Sequence, residues 1–226
     1  MKTVPPYYSN PDNSHCFQCC LRMTLEHFTP AKSWTWEELC EMTGKEPGLH
    51  TWPTRIYAEL QDSDYDSVIY DCFEYGAFSL NPETYLREKF SPEYAQEAIT
   101  YSNIPAILKD VSRLLANKNI SMHRENYDAE DVKRLIEDGY LIIAWVDHAK
   151  IWKLENQCNP HYVLVYGYDD HGVIMHDPGG DEDTRQSALH VSWDAFFDAN
   201  KMNAEGETGE MLAIRPKQIS TEGGIS

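Results

Sequence analysis

Three residues in this sequence have types and positions that could do covalent chemistry. Cys16 stands at the start of a helical pattern, His161 opens an apolar run, and Asp177 closes a second one. A thiol becomes a nucleophile only as its thiolate. A helix N-terminus favours that anion through its partial positive charge and unpaired N–H groups. A neighbouring imidazole supplies the base and counter-ion. A carboxylate on the far side of the ring fixes its tautomer and stabilises its protonated form. Together the three could attack a carbonyl and pass through an acyl-enzyme. Taken singly, each has a plainer reading. A free cysteine is often just a small buried hydrophobe. His176, next to Asp177, competes with His161 as the histidine. Asp-Pro-Gly-Gly at 177–180 reads equally well as a turn.

The elements that would position these groups can be read from periodicity. Phe17, Cys20, Leu21, Thr24, Leu25 and Phe28 fall on one helical face, with Asn13 or Ser14 as cap and Pro30 as stop. Cys16 then lies in the first turn. Helices are predicted over 33–42, 51–60, 82–100, 104–117 and 128–138, with a short strand over 67–75. After Gly139 the character changes. Strands are predicted over 141–146, 161–168, 173–176 and 211–214, and a short helix over 192–200. The runs 161–168 and 173–176 flank a turn and read as a hairpin. Its return strand ends beside the start of the first, which brings Asp177 next to His161. The expected fold class is α+β, a single domain over 1–218. A helical lobe of about 10–138 packs on an antiparallel sheet lobe of about 139–216, and 219–226 form a flexible tail.

Cysteine on a helix N-terminus, followed by histidine and a polar orienter on a later sheet, is the layout of papain-like cysteine hydrolases. The text is more particular. V-P-P-Y-Y-S-N at 4–10 precedes C-F-Q-C-C-L-R-M-T-L at 16–25, and H-Y-V-L-V-Y-G-Y-D at 161–169 precedes D-P at 177–178. These blocks resemble the papain-like bacterial peptidases related to the double-glycine leader peptidases of bacteriocin exporters. Between about 30 and 125 only helical character matches. The resemblance implies Cys16 as nucleophile, His161 as base and Asp177 as orienter. It places Asn10 where the family has its oxyanion-hole Gln, one methylene shorter, with Gln18 as the fallback donor. Phe17-Gln18 replaces the family's Gly-Pro, so a bulky Phe17 is expected to narrow the cleft. The implied reaction is cleavage of an amide, peptide or thioester bond, with the acyl group passing to water or to an amine.

Composition narrows the partners. Lys and Arg number 19 and Asp and Glu 37, giving a formal charge of −18. Such a chain repels phosphate backbones and anionic membrane surfaces, so neither nucleic acid nor membrane is an expected partner. The expected partner is a peptide or small-molecule amide or thioester; no cofactor or metal is expected, and the oligomeric state is left open. The charge, with Asp181, Glu182 and Asp183 near the Asp177 end, suggests a preference for neutral or cationic substrates. Hydrophobic residues at 42% exclude wholesale disorder. No apolar run reaches 18 residues and no secretion signal opens the chain. The six cysteines then read as reduced thiols in a cytoplasm. Three other classes compete. Cys16-x-x-Cys19 with Cys20 could be redox-active. Cys158-x-x-His161 could complete a zinc site with them. The same fold could also be a non-catalytic binding module.

Overall fold

The computed structural model describes residues 3–117, 120–154, 159–179, 182–203 and 206–218, so Cys158, Asp181 and the expected tail at 219–226 lie outside the described residues. The first half is helical: α1 (Cys16–Phe28), α2 (Trp36–Thr43), α3 (Thr54–Gln61), then β1 (Tyr65–Tyr70), α4 (Tyr75–Leu80), α5 (Pro82–Lys89), α6 (Pro92–Thr100) and α7 (Ile104–Ala116). The second half follows as β2 (Met122–His123), α8 (Ala129–Glu137), β3 (Leu141–Asp147), α9 (His148–Trp152), β4 (Pro160–Tyr168), β5 (Gly172–Asp177), β6 (Gln186–Ser192), α10 (Trp193–Ala199) and β7 (Met211–Pro216). The class is α+β, in agreement with the expectation of a papain-like arrangement of helices on a sheet.

One seven-stranded sheet runs β2-β1-β7-β3-β4-β5-β6. Every neighbouring pair is antiparallel except β1 and β2. That parallel pair is possible because the helices α4–α7 supply the long crossover a parallel connection requires. Strand β3 is buried along its whole length. Its alternate residues serve two cores, as a period of two demands. Leu141, Ile143 and Trp145 face α1, α3 and α7 together with Tyr162, Leu164, Leu212 and Ile214. Ile142, Ala144 and Val146 face the opposite layer with Val163, Val165, Leu135 and Phe196. The sheet is thus sandwiched, which explains why its strands read as continuous apolar runs.

Several boundaries differ from the sequence reading for local reasons. The predicted helix 82–100 is two helices. Phe90 is extended, Ser91 caps the second with its side chain, and Pro92 stands in that helix's first turn. The cap of α2 is Thr35 in a reciprocal capping box with Glu38, two residues after Ser33. Strand β1 begins and ends earlier than predicted and joins the sheet from within the helical stretch, so the sheet is not confined to 139–216. Strand β6 escaped notice because it is a mostly exposed edge whose Q-S-A-L-H-V-S text has little alternation. No described helix is long and apolar enough to cross a membrane.

Candidate active site

Cys16 is the first residue of α1 and is half-buried. The preceding His15 makes no side-chain cap; its N–H instead donates to Asn10 Oδ1 at 3.0 Å. The predicted cap Ser14 is turned to Asp12, and Asn13 takes the left-handed conformation (φ 62°) that lets the chain swing into the helix. The Cys16 sulfur lies against the His161 ring within hydrogen-bond reach and also receives the backbone N–H groups of Tyr162 and Phe17. Burial alone would favour the neutral thiol. The imidazole's hydrogen bond and charge, with those backbone donors, outweigh it and hold the thiol below its ordinary pKa.

On the other side of the ring, His161 Nε2 is 2.7 Å from Asp177 Oδ1. Both side chains are buried, His161 at 4% exposure and Asp177 at 0%. The pairing of β4 with β5 accounts for this contact. Leu164 faces His176 across β4 and β5, so the next residue, Asp177, lies toward the start of β4 where His161 stands. The second carboxylate oxygen, Asp177 Oδ2, accepts the indole N–H of Trp152 at 2.7 Å and lies 3.8 Å from His148 Nε2. Burial pushes the Asp177 carboxyl up, but His161, Trp152 and the His148 charge together hold it below the usual range. Burial likewise pushes His161 down, and is overcome by Asp177 and Cys16, which raise it to about 10. The arrangement favours an imidazolium between a thiolate and a carboxylate. Sequence reading missed Trp152 and His148. Both sit on α9, a five-residue turn too short to show periodicity.

The N-terminal segment is strapped across this end of β5. His176 is held at both nitrogens, with Nε2 3.0 Å from the Pro5 carbonyl and Nδ1 accepting from Ala188 N–H. Both of its ring nitrogens are thus engaged in holding the N-terminal segment and β6. The Tyr7 hydroxyl donates to the Asp177 carbonyl, and Asn10 N–H donates to the Pro178 carbonyl at 2.9 Å. These bonds seat Asn10, 1% exposed, with its Oδ1 on the N–H of the residue before Cys16 and its Nδ2 lacking a hydrogen-bond partner among the described residues. Gln18 does not serve as a second donor. Its Nε2 is committed to the Thr43 and Thr51 hydroxyls at 2.7 and 3.1 Å. Phe17 does not narrow the cleft either. It is 1% exposed and packs edge-on against Tyr162 at 4.8 Å.

Cys16 opens into a cleft of about 530 Å³ walled by Trp52, Phe73, Tyr94, Trp145 and Tyr162, with Glu210 in its lining. The other thiols stand apart from this chemistry. Cys19 and Cys20 are fully buried in the core, burial raises both thiols strongly, and neither belongs to a group of potential metal donors among the described residues. Cys158 lies outside the described residues. One group of potential metal donors is present among the described residues, His148, His161 and Asp177, with donor atoms within 4.8 Å of one another. The His161 and Asp177 atoms in it already bond each other, and Asp177 also serves Trp152.

A family model described as "Peptidase_C39 like family" matches residues 95–195. Over that stretch the chain is similar to the C39-like peptidases. The matched span contains His161 and Asp177, whereas Cys16 and Asn10 lie before it. The similarity reaches the C39-like level and does not single out the double-glycine leader peptidases. No curated protein matches the chain.

Proposed function

We propose that this chain is a cysteine hydrolase of C39-like type that cleaves an amide, peptide or thioester bond through Cys16, His161 and Asp177. The observation that carries the reading is the His161 ring held between the Cys16 sulfur and the Asp177 carboxylate. In the first step the Cys16 thiolate attacks the carbonyl carbon and a C–S bond forms. The resulting oxyanion accepts from Asn10 Nδ2 and the Cys16 backbone N–H. The intermediate collapses as the bond to the leaving group breaks, and His161 gives its proton to the leaving atom. Neutral His161 then takes a proton from water or an acceptor amine, whose attack on the thioester releases the product. The returning proton restores the imidazolium–thiolate pair. Trp152 and His148 position Asp177 and keep its charge on the ring. Free thiols at the five described cysteines suit a reducing compartment, and we read the protein as cytoplasmic.

The test is acylation followed by pH. An activated acyl ester should add its acyl mass to the Cys16 peptide, and His161→Ala should remove that adduct. The Cys16 thiolate persists down to a lowered pKa and His161 keeps its proton up to about 10. So kcat/KM should rise with pH through the first ionisation and fall as pH passes about 10, where the leaving group loses its proton donor. An adduct on another residue, or a high-pH limb that His161 substitutions leave in place, would refute the assignment.

A further inference from the structure

The cleft carries an acidic end that the reaction just described does not use. Tyr70 on β1 faces Met211 on β7, so the residues at the adjoining strand ends, Asp71 and Glu210, come together. Asp71 is 1% exposed and its carboxylate is satisfied by the Phe73 N–H and the Tyr75 hydroxyl. Glu210 differs because it lines the open cleft that holds Cys16. Its Oε1 accepts from the Tyr162 hydroxyl. No lysine or arginine forms an ion pair with it among the described residues. Lys45, which also lines the cleft, donates to the Leu49 carbonyl, and Lys89, close to Asp71, pairs with Glu207. Tyr162 joins the two ends, with its backbone N–H on the Cys16 sulfur and its hydroxyl on Glu210.

We propose that Glu210 is the specificity-determining carboxyl of this cleft, and that it pairs with an ammonium or guanidinium group carried by the substrate one tyrosine's length from its scissile carbonyl. The proposal rests on the hydrolase reading for the word substrate, but the subsite itself does not. Trp52, Phe73, Tyr94 and Trp145 wall the same space, and aromatic faces attract desolvated cations. A carboxylate with no internal counter-charge is costly to bury. Burial and the Asp71 charge accordingly push Glu210 up to about 8. An incoming cation supplies the missing partner and returns the group to its charged form. A neutral side chain of the same shape would leave the carboxyl without that partner. The class implied is an amide or peptide bearing a lysine- or arginine-like group. This local recognition differs from general steering by the −18 charge, which salt screens beyond about 8–10 Å.

The test uses benzamidine and its neutral isostere benzamide on the full chain, with calorimetry for affinity and iodoacetamide for access to Cys16. Benzamidine should bind at least about tenfold more tightly than benzamide, persist at 0.5 M salt, and slow alkylation of Cys16. Glu210→Gln should bring the ratio toward unity. Equal affinities in the wild-type protein, a preference that vanishes in salt, or a ratio unchanged in Glu210→Gln would overturn the proposal. The wild-type comparison needs no variant, so a misfolded Glu210→Gln does not remove the test. If benzamidine binds selectively while Cys16 alkylates no faster than the other thiols, the hydrolase reading fails and the cation subsite stands.

Discussion

Cys16→Ala is expected to abolish turnover of any amide that the wild-type protein cleaves. In a comparable triad, removal of the nucleophile costs on the order of 10⁶ in kcat. The fold should survive, because Cys16 is half-buried at a helix start and belongs only to the margin of the core. The informative controls are its neighbours. Cys19→Ala removes a fully buried thiol and is expected to lower stability slightly and leave turnover within a few-fold of wild type. Cys20 donates to the Tyr162 carbonyl, a bond a serine hydroxyl can also make, so Cys20→Ser should behave likewise. Peptide-cleavage assays with matched melting curves check the set. Loss of turnover in Cys19→Ala equal to that in Cys16→Ala would move the paired-cysteine readings ahead.

Asn10→Ala should lower kcat by about 10²–10³, the usual effect of removing one oxyanion donor, with a smaller change in KM. The substitution also deletes the acceptor for His15 N–H at the start of α1, and a lost cap costs about 1 kcal/mol. A second readout separates the two effects. Alkylation of Cys16 by iodoacetamide generates no oxyanion, so its rate should stay within a few-fold of wild type in Asn10→Ala while amide turnover collapses. Gln18→Ala, whose native amide binds Thr43 and Thr51, should disturb stability more than kcat. If alkylation and turnover fell together in Asn10→Ala, Asn10 would be a helix-positioning residue and not an oxyanion donor.

Much of this site could be read from the chain because it rests on local patterns. The apolar face from Phe17 to Phe28 fixes α1 and puts Cys16 in its first turn. The turn at 169–172 between two apolar runs fixes the hairpin that carries His161 to Asp177. Asn10 came from the resemblance alone, and its seating depends on Tyr7 and His176, whose bonds cross about 170 residues of sequence. The parts that escaped share a physical cause. Trp152 and His148 sit on a single turn, β2 is two residues long, and β6 is a polar edge, so none repeats often enough to signal its period. Glu210 enters the cleft through pairing between β1 and β7, distant strands whose register no local motif encodes. Of the three acids behind the steering expectation, Asp181 lies outside the described residues, while Glu182 and Asp183 fall in a short turn, Glu182–Thr184, with Asp183 exposed; Glu210 supplies a more specific origin for a cation preference.

Cysteine-resolved alkylation across pH distinguishes a Cys16 thiolate held by His161 from an ordinary thiol. The chain carries its own controls. Cys40 and Cys72 are half-buried like Cys16, yet burial raises both thiols, and Cys19 and Cys20 are sealed in the core. Limited iodoacetamide treatment, read peptide by peptide from pH 5 to 9, should modify Cys16 first. At pH 7 its rate should exceed that of Cys40 and Cys72 by about tenfold or more, because an ordinary thiol is only a few per cent thiolate there. Its rate should fall only as pH drops through its lowered pKa, and His161→Ala should return it to the pH profile of the other two. A Cys16 rate that matches Cys40 and Cys72 and climbs with them toward pH 9 would contradict the imidazolium–thiolate pair on which the account depends.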